Sequence, residues 1–141
     1  MSTATRSFAE LETALDAAGA PDAQAPQLLA IAEEVLEHWV NAKGQLPTTD
    51  AREGFRLLAL HHQGAQGVPS FNACRETCRE IAYHFNLLTL EPSDPQAAQR
   101  ARMMRMLVTH LLLFVRGKLE IDGLGDFCCA SRPLRQPAHV K

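Results

Sequence analysis

Cysteine and histidine are the residue types in this chain whose side chains readily carry nucleophilic, redox or metal chemistry, and it has 4 cysteines and 6 histidines. Cys74 and Cys78 lie four residues apart, so they share one face of a helix. Cys74 falls in the predicted first turn, where free backbone N–H groups favour a thiolate, and Arg75 and Arg79 add positive charge nearby. These features make Cys74 a candidate reactive thiol.

Structural packing is the alternative role for both cysteines. Free cysteine behaves as a small buried hydrophobe, and a CxxxC spacing is a weaker redox or metal signal than CxxC. The face that carries Cys74 and Cys78 continues as an apolar stripe, which comprises Ile81, Ala82, Phe85 and Leu88. This continuity favours packing over chemistry for the pair.

Histidines near the predicted boundary between the third and fourth helices extend this set of candidates. His61 and His62 precede the helix terminator Gly64, where an imidazolium interacts favourably with the helix dipole. His62 continues an apolar stripe and is predicted to point inward. A ligand cluster between the two helices would then combine His61, His62, Cys78 and His84 with Cys74. Such a set suits zinc, but finger and ribbon spacings are absent, so neither zinc nor haem is the expected cofactor.

The other cysteines and histidines give weaker signals. His110 is predicted to be a neutral core residue, and the adjacent Cys128 and Cys129 are candidates for packing or for cross-links between chains. The sequence contains no phosphate-binding glycine loop, GxSxG or HExxH motif, and the lysine expected after a phosphotransfer histidine is absent. We therefore predict no catalytic residues and do not expect an enzyme.

Charge is distributed unevenly along the chain. Residues 1–50 carry eight acidic and two basic residues, a net charge of −6, whereas residues 51–141 carry eight acidic and twelve basic residues, a net charge of +4. Acidic and basic helices that face each other would explain this asymmetry. The alternative is a basic face for an acidic partner, formed by Arg100, Arg102, Arg105 and Arg116. Nucleic-acid binding is disfavoured, because the net charge is −2 and no aromatic residues interleave with these arginines.

Helix-start and helix-stop residues divide the chain into five predicted helices joined by short loops. The predicted helices run from Ser7 to Gly19; from Pro26 to Lys43, after a linker over 20–25; from Asp50, paired with Glu53, to Gly64; from Ser70 or Asn72 to Leu90; and from Asp94 to Gly117. The fifth helix has the strongest apolar stripe, which comprises Ala97, Ala101, Met104, Val108, Leu111 and Val115. The pattern predicts an all-α fold, an antiparallel four-helix bundle with an additional short N-terminal helix.

Beyond Gly117 the helical pattern weakens, and a short extended piece is predicted before a flexible C-terminal tail over 130–141. Residues 1–129 are expected to form a single helical domain. The N-terminus resembles no secretory signal and no apolar run is long enough to span a bilayer, so a cytoplasmic location with reduced cysteines is expected. The expected function is a non-enzymatic interaction or regulatory module. Its partner would be another protein or a second copy, reached through Leu112 on a polar stripe.

Overall fold

The computed structural model describes residues 6–17 and 21–122, and the regular elements within them are helices. The elements in chain order are α1 (Phe8–Asp16), α2 (Pro21–Ala42), α3 (Arg56–Ala65), a 3-10 segment (Pro69–Cys74), α4 (Arg75–Leu90) and α5 (Ala97–Ile121). The long helices α2, α4 and α5 pack against one another as a bundle, with α3 against α2 and α4. The predicted all-α bundle with a short N-terminal helix is confirmed.

Helix α5 lies against both α2 and α4, and its apolar stripe explains this position. All six residues predicted for that stripe are buried. Leu112, predicted to face outward, is also fully buried, whereas His110, predicted to lie in the core, is exposed. The buried arc of α5 is thus wider than the predicted stripe and displaced from His110, because both α2 and α4 cover this helix.

Helix α1 is capped by its own residues and fastened to α2. Ser7 and Glu10 form the predicted capping box. The Arg6 guanidinium donates to both carboxylate oxygens of Glu34, at 3.0 and 2.7 Å, and His38 Nε2 lies 2.6 Å from the Arg6 carbonyl oxygen. Phe8 stacks on the His38 ring. Arg6 and Glu34 both lie within residues 1–50, so this contact fastens α1 to α2 without joining the acidic part of the chain to the basic part.

Two predicted helix starts, those of α2 and α3, are wrong. Helix α2 begins at Pro21 instead of Pro26, and Ala25 inside the predicted linker is fully buried. Helix α3 begins at Arg56 instead of near Asp50, since the residues before it form a tight turn. In that turn Arg52 and Phe55 exchange backbone hydrogen bonds of 2.9 Å, and the two residues between them, Glu53 and Gly54, have φ of 53° and 86°. Two consecutive left-handed residues are typical of a type I′ turn.

The starts of α4 and α5 and the end of α5 also differ from the prediction. Neither Ser70 nor Asn72 caps α4, because the 3-10 segment precedes it and Cys74 occupies the N-cap position. Helix α5 begins at Ala97, and it continues through Gly117 to Ile121 where an extended piece was predicted. Burial of Leu119 explains the continuation, because this residue adds another turn of contact to the core. The predicted terminator Gly19, the pair Cys128–Cys129 and the predicted tail 130–141 lie outside the described residues.

The centre of the core is a contact between the only tryptophan and a glycine. Trp39 is fully buried, and its indole N–H donates to the Gly64 carbonyl oxygen at 2.8 Å. Its ring stacks on Phe71 with ring centroids 4.7 Å apart. A Cβ on Gly64 would lie 2.7 Å from a Trp39 ring carbon and 3.1 Å from Phe71, so only glycine fits. No helix among the described residues is long and apolar enough to cross a membrane.

Replacing Gly64 by alanine should lower the free energy of unfolding by about 1–3 kcal/mol, because the methyl group overpacks the Trp39 and Phe71 rings. Gly117→Ala is the matched control, since a Cβ there meets nothing within 4 Å. Alanine at that helical position should raise the stability by about 0.5–1 kcal/mol. Urea unfolding followed by Trp39 fluorescence measures both changes, and equal effects at the two glycines would contradict the packing described for Gly64.

Candidate functional site

The chain segment between α3 and α4 places a histidine and a cysteine against one backbone carbonyl group. After α3, Gly67 adopts a left-handed φ of 74° and reverses the chain, and Pro69 begins the 3-10 segment. Phe71 in that segment is fully buried because its ring packs against Trp39. The burial of this ring holds the Phe71 carbonyl group close to the start of α4.

The thiol centre consists of His61 and Cys74, which both contact the Phe71 carbonyl oxygen, and of Cys78, which lies one helical turn after Cys74. His61 Nε2 lies 3.1 Å from that oxygen, and the protonated Cys74 thiol donates to it at 3.3 Å. His61 is 5% exposed, Cys74 3% and Cys78 0%. The His61 ring also stacks on the Phe71 ring with centroids 5.4 Å apart. His61 and Cys74 are therefore held by packing as well as by hydrogen bonding.

The two thiols have opposite pKa shifts. A hydrogen bond from the Cys78 thiol is the main cause that lowers the pKa of Cys74 to about 6, against burial, which raises it. His61 lowers it further through a hydrogen bond and its charge. The same hydrogen bond with Cys74, together with burial, raises the pKa of Cys78 well above its usual value. Of the two thiols, Cys74 is therefore the one that ionises first, while Cys78 keeps its proton.

An open cleft of about 300 Å³ lies beside the thiol centre, and His61 belongs to both. The type I′ turn before α3 forms one wall, and the 3-10 segment and first turns of α4 form the other. The cleft is lined by Arg52, Glu53, Leu58, His61, His62, Ala65, Asn72, Arg75 and Arg79. A cleft with three guanidinium groups and one carboxylate is positively charged at neutral pH.

One arginine of the cleft is paired and two are not. Arg79 donates to Glu53 at 3.0 Å, and this contact joins α4 to the turn. The hydrogen bond and the charge of Arg79 lower the pKa of the Glu53 carboxyl, with smaller contributions from Arg52 and Arg75. Within the described part of the chain, Arg52 and Arg75 make no side-chain ion pair. Their charge is available to a ligand in the cleft.

The predicted ligand cluster comes together only in part. His61, Cys74 and Cys78 converge, but His62 is exposed and contacts Gln66 Nε2 at 2.9 Å, so the prediction that it points inward is wrong. The later start of α3 at Arg56 aligns His61, not His62, with the buried residues Leu57, Leu60 and Gly64. His84 lies farther along α4, where its Nδ1 contacts the Glu80 carbonyl oxygen at 2.9 Å. Among the residues of 6–17 and 21–122, no group of three or more His, Cys, Asp or Glu side chains is arranged to hold a metal ion.

The predicted basic face on α5 is largely occupied by contacts inside the protein. Arg100 pairs with Glu91 and Asp94 at 3.1 and 3.8 Å, and Arg116 pairs with Glu12 at 2.9 Å. Arg105 donates to the Leu15 carbonyl oxygen at 3.3 Å, and Arg102 is exposed. The four arginines therefore do not present four free charges on one surface.

Two parts of the site were not predicted from the sequence. The Phe71 carbonyl group is a backbone feature, and no residue pattern identifies it. Arg52 and Glu53 were placed inside a helix, although Gly54 directly after them was the available signal for a turn. No protein-family model, curated protein or solved structure matches this chain, so its function is argued from its own residues.

The pKa of Cys74 should be measurable as the thiolate absorbance in an ultraviolet pH titration, which needs no access of a reagent to the buried sulfur. In a Cys128→Ser, Cys129→Ser background the thiolate signal should rise with a midpoint near pH 6. Cys78→Ala removes the hydrogen bond that lowers this pKa most, so the midpoint should move upward toward that of an ordinary thiol. Cys74→Ser is the control that should abolish the signal near pH 6, and its persistence in that variant would assign the low pKa to another group.

Proposed function

We propose that this protein is a non-enzymatic regulatory module that responds to oxidants through the Cys74–Cys78 pair. One observation carries the proposal: Cys74 and Cys78 are buried one helical turn apart at the start of α4, and His61 contacts the same Phe71 carbonyl oxygen as Cys74. A thiolate is the nucleophilic form of cysteine, and a second thiol in contact with it is the arrangement that resolves an oxidised sulfur.

The chemistry balances with hydrogen peroxide as the oxidant. The Cys74 thiolate attacks one peroxide oxygen, an S–O bond forms, the O–O bond breaks, and hydroxide leaves and takes a proton to become water. The Cys78 thiol then attacks the sulfur of the Cys74 sulfenic acid, an S–S bond forms, and the S–O bond breaks. The proton of Cys78 leaves with the hydroxyl group as a second water. Two thiols are oxidised to a disulfide, and one peroxide is reduced to two waters.

Disulfide formation requires a change of backbone conformation, and this change is the proposed signal. Residues four apart in a helix have Cβ atoms about 5–6 Å apart, whereas a disulfide needs about 3.5–4.5 Å. The first turn of α4 must therefore tighten or unwind. Arg75 and Arg79 lie within the same stretch of helix, so oxidation would rearrange the arginine-lined cleft, and a partner protein that contacts this surface would detect the change.

Access to Cys74 depends on the segment that covers it. The sulfur is nearly buried, but the neighbouring residues Asn72, Ala73 and Arg75 are exposed. Local opening of the 3-10 segment exposes the thiol without unfolding of the bundle, since short 3-10 helices have weaker hydrogen-bond geometry than α-helices. A small oxidant such as peroxide needs less opening than a bulky reagent does. We place the protein in the cytoplasm, where reduced thiols are the resting state.

Hydrogen peroxide should convert Cys74 and Cys78 to a disulfide, in a background with Cys128→Ser and Cys129→Ser. Peptide mapping under non-reducing conditions identifies the bond. Fluorescence of Trp39 should change with the same rate constant, because its ring stacks on Phe71 within the affected segment. A dithiol reductant should restore the original spectrum.

Cys78→Ser separates the two steps, because it should stop the reaction at the Cys74 sulfenic acid, which a dimedone-type probe traps. His61→Asn should slow the first step through loss of the histidine that favours the thiolate. The proposal fails if Cys74 reacts with peroxide no faster than free cysteine at neutral pH. It also fails if mapping finds no Cys74–Cys78 bond.

A further inference from the structure

The arginine-lined cleft beside the thiol centre has a charge arrangement that the thiol chemistry does not use. Three guanidinium groups, of Arg52, Arg75 and Arg79, face one carboxylate, that of Glu53. The only ion pair among these four groups joins Arg79 to Glu53. The cleft therefore keeps two uncompensated positive charges, on the described residues Arg52 and Arg75.

The arginines of the cleft come from two separate elements, the type I′ turn and α4, which an ion pair connects. Arg52 belongs to the type I′ turn, and Glu53 in that turn holds a left-handed φ of 53°, which is uncommon for a residue with a side chain. The Arg79–Glu53 ion pair and the hydrogen bonds between Arg52 and Phe55 hold the turn in this conformation. The cleft is thus shaped before any ligand arrives, which reduces the entropy lost on binding.

The start of α4 adds a second favourable contribution. Cys74 occupies the N-cap position and makes no side-chain capping hydrogen bond there. The Arg75 backbone N–H donates to the Asn72 carbonyl oxygen, and the positive end of the α4 dipole lies at the same wall of the cleft as Arg75. Asn72 and His62, both exposed at the rim, supply further hydrogen-bonding groups.

We infer that this cleft binds a small molecule through a phosphate group. Guanidinium groups match the geometry of phosphate oxygens, and a phosphate carries about −1.5 to −2 charges at neutral pH, close to the two uncompensated positive charges. A single carboxylate ligand would balance only half of that charge. The volume of about 300 Å³ lies at the lower end of small-molecule pockets, which favours a small phosphate compound over a peptide.

This inference does not rest on the proposed oxidant response. The phosphate contacts involve no sulfur atom, so a protein in which both cysteines are replaced should still bind. The two proposals therefore fail separately: loss of phosphate binding leaves the thiol chemistry untouched, and an unreactive Cys74 leaves the cleft unchanged.

Isothermal titration calorimetry at low ionic strength, with inorganic phosphate and with glycerol phosphate, tests the inference. Saturable binding of either probe is expected, with NMR shifts confined to the parts of the chain that line the cleft, 52–54, 58–65 and 72–79, and with weaker affinity as salt is added. Tighter binding of glycerol phosphate identifies an organic phosphate as the ligand, whereas equal affinities identify free phosphate. The absence of saturable binding of both probes in the millimolar range overturns the inference.

Arg75→Gln and Arg52→Gln should each weaken phosphate binding about tenfold, because each removes charged hydrogen bonds. Both side chains belong to exposed residues that make no ion pair within the described part of the chain, so the fold should be retained. Arg102→Gln, an exposed arginine on α5 outside the cleft, makes the same change of charge and should leave the affinity unaltered. Equal effects of all three substitutions would show that net charge alone attracts the phosphate. That result would overturn the inference of a specific site.

Discussion

The structure depends on the contact between Trp39 and Gly64. The indole needs a hydrogen-bond acceptor because it is fully buried, and the Gly64 carbonyl oxygen is that acceptor. Since Gly64 has no side chain, the indole ring lies directly against the backbone of α3. The same ring supports Phe71, whose position determines where the carbonyl oxygen of the thiol centre lies. One close approach between α2 and α3 therefore fixes the core and the site together.

Burial and hydrogen bonding oppose each other at the thiol centre. Burial alone would raise the pKa of both cysteines, since a low-dielectric interior disfavours the charged form. The hydrogen bond from Cys78 to Cys74 gives the two thiols different pKa values, because it stabilises a thiolate on Cys74 and keeps the proton on Cys78. A structural cysteine pair without such contacts would remain neutral. This asymmetry separates Cys74 from an ordinary core cysteine, although both residues lie on an apolar face.

The charges of the chain have two different roles. Across the bundle, acidic residues of 1–50 pair with basic residues of 51–141, as Glu37 does with Arg56 and Glu12 with Arg116. The uneven distribution along the sequence is therefore largely balanced in space. At the cleft beside α4 the balance is incomplete, because Arg52 and Arg75 face a single shared carboxylate. Ligand binding is expected at side chains whose charges are not paired within the protein, since unpaired charge attracts ligands more than paired charge does.

The sequence by itself determined the helical class, the capping box at Ser7 and the buried stripe of α5. These features are local, since capping and amphipathic periodicity depend on residues within a few positions of one another. The sequence also singled out Cys74 at the start of a helix beside two arginines. The predicted start of α3 was too early. For this reason the histidine predicted to point inward was His62 instead of His61.

Only the tertiary structure decided the site itself. Its sulfur atoms, imidazole ring and carbonyl oxygen come from α3, the 3-10 segment and α4, and their distances depend on how Phe71 packs against Trp39 from α2. The arginine-lined cleft likewise needs a turn in which Glu53 has a left-handed φ. The sequence pattern at this position predicts a helix start instead of a turn. Hydrogen bonds and charges act over a few ångströms in space, whereas a sequence pattern records only neighbours along the chain. Cys74 thus remains the residue that the sequence identified, and its partners are those that the packing supplied.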